Sequence, residues 1–242
     1  VINSSEALSS GFPAPGEIIS YLDMCRQWGV SFQRGMHFHL RPDLSVILMS
    51  RRKNAPYRDA IEVGGHSLKY EGHDLPKTKN YSNPKSMDQP RKNPGGSLTQ
   101  NGLFEKAVLD TKKGLKPPEV VAVYEKIHRG IWAFNGFFHL TDCAFESDGI
   151  RNVFRFRLEL TNKSLNTSQG LNNELSRARL IPSPVKLEVW ARDKGACVLC
   201  GAKNNLHFDH DVPYSKGGSS LTAKNIRLLC ARHNLSKHDK IE

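Results

Sequence analysis

The sequence predicts an α+β protein built from two units, a larger and mostly β unit followed by a small α+β unit. Three observations lead there. Strand-type segments dominate up to residue 160, and the clearest is NVFRFRLEL at 152–160. In it Phe154, Phe156, Leu158 and Leu160 alternate with Arg155, Arg157 and Glu159, the pattern of a strand with one buried face and one basic outer face. Next comes TNKSLNTSQGLNNELS, polar and rich in Asn and Ser, which suits a linker. Finally, residues 185–242 carry paired Cys and His residues in a unit too small to rely on its core alone. The expected division is 1–160, a linker at 161–184, and 185–242.

The elements follow in order. Residues 1–16 read as flexible. EIISYLDMCRQW at 17–28 reads as a helix, with Ile18, Ile19, Leu22 and Cys25 on one face and Gly29 suited to the C′ position. LSVILMS from Leu44 reads as a buried strand, and a second runs from Ser67 to Tyr70. Residues 76–96, rich in Pro, Lys, Asn and Gly, predict a long loop with enough basic residues to touch phosphates. A short helix over 103–113 is closed by Gly114. Strands follow at VVAVYEKI, IWAFNGFFHL and NVFRFRLEL, with Trp132, Phe134, Phe137 and Phe138 read as core. Pro182 and Pro184 precede a last helix in VKLEVWARDKG.

A net charge of +11 over 242 residues favours a polyanionic partner, and nucleic acid is the usual one. No stretch approaches the roughly 20 apolar residues of a membrane helix, and VINSSEALSS lacks the charged-then-apolar order of a signal peptide. Five cysteines, three of them late, argue for metal binding over disulfides. Together these point to a cytoplasmic protein. Cys197-Val-Leu-Cys200 and Cys230-Ala-Arg-His233 form two ligand-x-x-ligand knuckles. Three thiolates and one imidazole suit a structural, tetrahedral zinc ion.

Between and around these knuckles the chain reads CVLCG…LHFDHDVPYSKGG…NIRLLCARHNLSK. From Trp190 to Lys240 it resembles the HNH nucleases, the ββα-metal endonucleases. The resemblance implies that His210 is the general base that deprotonates water, and that Asp209 and Asn234 hold a catalytic divalent cation, Mg²⁺ or Mn²⁺. It makes Asn225 the residue that holds the loop between the two strands. Many family members have Cys-x-x-Cys-His where this chain has Cys-Ala-Arg-His-Asn. His233 is assigned to zinc and Asn234 to the catalytic cation; the opposite assignment, leaving zinc three thiolates, stays open. Lys216 and Lys237, with Arg232 and Lys240, are candidate phosphate contacts, and His207 a structural or phosphate-contacting residue.

A second resemblance covers roughly 30–160. SFQRGMHFHLRPDLSVILMS, NAPYRDAIEVGGHSLKYEGHDLP, LTQNGLFEKAV and YEKIHRGIWAFNGFFHLTDC are similar to the SRA (YDG) fold, a twisted β-sheet or barrel with flanking helices, in the version of McrA-like modification-dependent restriction proteins. Asp88-Gln89 and Thr99-Gln100-Asn101-Gly102 resemble that fold's DQ and GN elements. SRA domains flip a modified cytosine into a pocket. The resemblance places Tyr57 and Tyr70 at the stacking positions and Asp59 at the carboxylate that reads the exocyclic amine. Glu71, His73 and Asp74 are second candidates. Arg51 and Arg52, with Arg34 and Lys53, are candidates for phosphates or for the hole left by the flipped base.

The joint expectation is a type IV-like restriction endonuclease acting on double-stranded DNA with 5-methylcytosine or 5-hydroxymethylcytosine. One HNH site cuts one strand, so a double-strand break calls for a homodimer or two events. Two rivals remain: a non-catalytic reader braced by a zinc knuckle, and an HNH enzyme that reads unmodified sequence. The Asp209–His210…Asn225…Asn234 set separates the first, since a structural zinc knuckle needs no Asp-His pair. Comparing methylated with unmethylated duplex separates the second.

Overall fold

The computed structural model describes residues 12–62, 65–77, 83–161, 180–212 and 216–237. The larger unit is one mixed sheet of β1 (Ile18–Ser20), β2 (Met36–Arg41), β3 (Leu44–Met49), β4 (Ala60–Ile61), β5 (Ser67–Glu71), β6 (Val120–His128), β7 (Ile131–Ser147) and β8 (Asn152–Leu160). The order is β2-β3-β6-β7-β8-β5-β4, and β1 pairs with β7 off that path. The β3–β6 pair is parallel and the others antiparallel. A parallel pair needs a long crossover, and this one carries helix α2 (Gln100–Lys112). Thr99 caps α2 through its side chain, and Phe104 and Val108 bury its inner face in the main core with Phe154, Phe156 and Phe138.

The first helix is shorter than expected. Residues 18–20 are strand β1, and α1 is Tyr21–Trp28, with Ser20 as N-cap and Gly29 left-handed at φ 69°. The cause is tertiary: β7 offers Ile18–Ser20 a ladder partner, and Ile18 and Ile19 are β-branched residues that fit one. The buried residues of α1 are Met24 and Trp28, whereas Leu22 is exposed. Strands β2 and β4 are not among the segments expected from the sequence, although MHFHLR at 36–41 alternates apolar with polar residues. Trp132, Phe134 and Phe138 are buried as expected, and Phe137 packs against the cluster that holds Trp132 and Phe134.

The smaller unit is a β-β-α arrangement: helix α3 (Ser183–Arg192), the hairpin of β9 (Leu206–His210) and β10 (Ile226–Cys230), then α4 (Ala231–Lys237). The two units share a core. Ile127 and Ala133 of the large sheet pack in one cluster with Val185, Val189, Leu206, Phe208, Leu228 and Leu229. The expectation of flexibility at 1–16 fails for its last part. Phe12 packs on Trp28 and Phe137, Gly16 donates to the Phe134 carbonyl, and Phe208 donates back to Gly16 at 3.0 Å. Residues 12–17 thus strap one sheet to the other, because an extended segment can satisfy both sheet edges at once. Residues 1–11 and most of the expected linker, 162–179, lie outside the described residues. Leu180 and Ile181, at the linker's end, are buried.

One polar contact crosses this junction. Lys186 of α3 is 2% exposed. It donates to Glu125 Oε2 at 2.7 Å and to Asn135 Oδ1 at 2.5 Å, both in the large sheet. A buried ion pair adds little net stability, but removing one partner strands a charge, so α3 has one satisfied seat on the sheet. No helix among the described residues is long and apolar enough to cross a membrane.

Candidate functional site

The two Cys/His knuckles meet because the β9–β10 hairpin folds the chain back. Cys197 and Cys200 sit in the turn before β9, Cys230 ends β10, and His233 lies in the first turn of α4. Cys200 Sγ is 3.8 Å from Cys230 Sγ, and His233 Nδ1 is 3.4 Å from Cys197 Sγ and 3.3 Å from Cys230 Sγ. All four ligand atoms lie within 4.8 Å of one another. Four ligands at zinc bond lengths on a tetrahedron stand about 3.5–3.8 Å apart. This group can hold a metal ion, and its spacing and soft donor set fit zinc.

His210 is the last residue of β9, opposite Ile226 of β10. Its Nε2 lies 2.8 Å from Ser220 Oγ, a buried hydroxyl that no sequence signal marked. Burial lowers the imidazole below the usual histidine value; Asp209 opposes that shift and Lys237 adds to it. Asn225 binds the loop between the strands on both sides. Its Oδ1 accepts from Val212 N at 2.8 Å, and its Nδ2 donates to Val212 O at 3.0 Å and Ser219 O at 3.1 Å. Gly218 belongs to the same knot, since a Cβ there would collide with the Val212 carbonyl.

Lys237 departs from the expected surface phosphate contact. It is buried on α4, donates to Asp209 Oδ2 at 2.6 Å, and also donates to the His210 carbonyl. The Asp209 carboxylate and that carbonyl therefore already converge on one cation, the lysine ammonium. Such oxygen donors are the kind a hard divalent ion takes. Asn234, three residues before Lys237 on α4, shares its helix face. Lys216 and Arg232 are exposed, and His238 and Lys240 fall outside the described residues.

In the large sheet, Tyr57, Asp59 and Tyr70 meet in one cavity of about 120 Å³, together with Gly35, Leu48, Ser50 and Pro56. A hydrocarbon cavity of roughly 150 Å³ accommodates benzene, so the space is on the scale of one six-membered ring. Asp59 Oδ2 accepts from Ser50 N at 3.0 Å and its Oδ1 from Glu71 N at 3.2 Å. Burial nevertheless pushes its carboxyl up to about 7. Tyr70 lies in the main core, 2% exposed. Tyr57 is half-buried, and its hydroxyl accepts from Asp74 N at 3.3 Å.

Glu71 and Asp74, the other carboxylate candidates, are committed elsewhere, while the buried Nε2 of His73 has no hydrogen-bond partner among the described residues. Glu71 accepts from Arg58 N and Arg155, and Asp74 pairs with Arg151. His73 N donates to Asn101. Gln89 and Asn101, from the DQ and GN elements, knit residues 72–73 to the rest of the fold through hydrogen bonds between their side chains and the backbone of Gly72 and His73. A wider depression of about 400 Å³ shares Ser50 and Tyr57 with the cavity and is lined by Arg51, Arg52 and Arg58. Arg51 also donates to the Asp59 carbonyl at 2.6 Å.

Residues 197–240, the hairpin and last helix of the C-terminal unit, match the family model described as HNH endonuclease. No curated protein matches the chain. Among solved structures, the chain is similar to the SRA domain of SUVH5 in complex with hemi-methylated CG DNA. The identity is 17%, the match covers 66% of this chain and 97% of that one, and the TM-score is 0.44. It is also similar to ScoMcrA, a type IV phosphorothioation-dependent restriction endonuclease, at 15% identity over 94% of this chain and 59% of that one, with a TM-score of 0.39.

Proposed function

We propose that the chain is a modification-dependent DNA endonuclease, in which the large sheet captures a flipped, modified cytosine and the HNH unit hydrolyses a phosphodiester bond. The observation that carries this reading is the pairing, in one chain with a shared core, of two sites. One is an Asp-His site held by an Asn-laced loop; the other is a ring-sized cavity with two tyrosines and a carboxylate. A structural zinc knuckle alone would require neither.

At the nuclease site we assign His210 the tautomer in which Nε2–H donates to Ser220 Oγ, which leaves Nδ1 with the lone pair that takes a proton from the attacking water. Lowered basicity keeps the ring neutral and competent near neutral pH. Asp209 and Asn234 are the proposed ligands of Mg²⁺ or Mn²⁺, which when bound would neutralise the phosphate and the leaving 3′-oxygen. His233 is assigned to zinc with the three cysteines. In the reader, Tyr57 and Tyr70 would stack on the base and Asp59 would accept from its N4 amine. Arg51 and Arg52 would meet backbone phosphates at the rim. Cleavage of methylated but not unmethylated plasmid, with Mg²⁺ or Mn²⁺, tests the whole reading; equal cutting of both would leave a sequence-reading HNH enzyme.

Stacking is worth roughly 1–3 kcal/mol per base by alanine substitution. Tyr57→Ala is therefore expected to weaken binding to methylated duplex by about 5- to 150-fold. Binding to unmodified duplex at the same salt, which rests on phosphates, should barely change. Tyr70→Ala does not test the same point, because Tyr70 is a core residue whose loss opens a cavity.

A pH test addresses Asp59. Its carboxyl accepts fully only when ionised, and it ionises as pH rises through about 7. Preference for the modified duplex should therefore grow from about pH 6 to about pH 8. The same ionisation costs stability. A raised carboxyl contributes stability below its ordinary value near 3.8 and loses it as pH rises through about 7. A preference that is flat across this range would remove Asp59 from the reading role.

A further inference from the structure

We propose that Lys85 is a specificity-determining positioning residue, which holds Tyr57 as a fixed wall of the base cavity and takes no part in binding the DNA backbone. The proposal rests on the reading of that cavity as a base pocket. Lys85 lies in the short turn Pro84–Ser86, inside a basic loop whose composition suggests phosphate contacts. Its ammonium instead sits 4.1 Å from the centroid of the Tyr57 ring. It is 2.9 Å from Asp74 Oδ2 and donates to the Pro56 carbonyl at 2.5 Å.

A lysine ammonium has three donors, and here a carboxylate, a carbonyl and a ring face take them. Pro56 and Tyr57 both line the cavity, whereas Lys85 does not, so Lys85 braces that wall from outside. The brace is itself anchored. Arg151, buried beneath it, donates from Nη1 to the Pro84 carbonyl at 2.7 Å and the Met87 carbonyl at 3.0 Å, on either side of Lys85. Its Nη2 donates to Asp74 Oδ1 at 2.5 Å. Asp74 is thus gripped by Arg151 on one oxygen and Lys85 on the other, and its amide donates to the Tyr57 hydroxyl. Tyr57 is fixed at its hydroxyl, its ring and its neighbouring backbone. A stacking ring that is already ordered loses less freedom when a base arrives.

The test uses the full chain, with Lys85→Met and Lys85→Arg, and methylated and unmethylated versions of one duplex over a range of salt. The contact exists before DNA arrives, so its loss is felt in binding only as the freedom that the Tyr57 ring regains; ordering one such side chain is worth about 0.5–1.5 kcal/mol, or about 2- to 13-fold in affinity. Lys85→Met should lose that factor for the methylated duplex only, and the slope of log K against log salt should match wild type. Lys85→Arg, which keeps a cation over the ring, should recover most of the loss. If Lys85→Met instead weakens both duplexes equally and shallows the slope by about 0.9, Lys85 is a phosphate contact and the proposal falls. It also falls if wild type discriminates and Lys85→Met binds both duplexes as wild type does. Failure of wild type to prefer the methylated duplex overturns the base-pocket reading itself, and this proposal with it.

Discussion

His210→Ala is expected to lower the rate of DNA cleavage by about 10²- to 10⁴-fold, the usual contribution of a positioned general base, while leaving DNA affinity close to wild type. The imidazole is placed by strand pairing opposite Ile226 and oriented by Ser220 at 2.8 Å. Burial keeps it less basic than an exposed histidine, so the neutral ring that the chemistry needs is the one present near neutral pH. Removing it deletes a proton acceptor and disturbs neither the Cys/His group nor the large sheet. The proposed base pocket and the arginine-lined depression lie in the other unit, which is why binding should survive. Single-turnover cleavage and equilibrium binding, measured on the same methylated duplex, separate the two effects. Near-normal cutting by the variant would take His210 out of the role assigned to it.

Cys200→Ser is expected to abolish zinc binding and unfold the hairpin and α4 of the C-terminal unit. Zinc in small Cys/His sites contributes about 10–16 kcal/mol of apparent binding free energy at neutral pH, and much of it is folding free energy. The interior of this unit is a thin layer around Val189, Phe208, Leu228 and Leu229, completed by Ile127 and Ala133 from the neighbouring sheet. Without the metal, three thiols and an imidazole are left converged with nothing to hold them. The large sheet has its own core, so it should stay folded and melt by itself, and binding of methylated duplex should outlast cleavage. Metal analysis of wild-type protein should find one zinc per chain, and a chelator should reproduce the variant. A zinc-free wild type, or a Cys200→Ser protein that melts as wild type does, would refute the structural-zinc assignment.

What was legible in the sequence was what neighbours in the chain decide. The alternation in NVFRFRLEL marked β8, the run from Leu44 marked β3, and the pair of ligand-x-x-ligand knuckles marked the Cys/His group. Each of these signals spans a few residues, and the backbone geometry that produces it is local. The Asp-His pair and Asn225 were singled out through the resemblance to the HNH nucleases, not through any local pattern. Residues 17–28 show where local reading stops. Their apolar spacing suits a helix, but Ile18–Ser20 became strand because the edge of β7, more than a hundred residues away, supplies hydrogen-bond partners.

Tertiary structure alone decided which side chains meet. Lys186 reaches Glu125 and Asn135 across the two units, and Ser220 orients His210 from the far side of a loop. Lys237 turns inward to Asp209 instead of outward to phosphate. Lys85, from a loop whose basic residues read as phosphate contacts, lies on Tyr57. These are contacts of polar side chains whose partners are remote in sequence, and no periodicity records them. A charged residue is buried only where a partner compensates its lost hydration. That partner exists only once the chain has folded back to supply it.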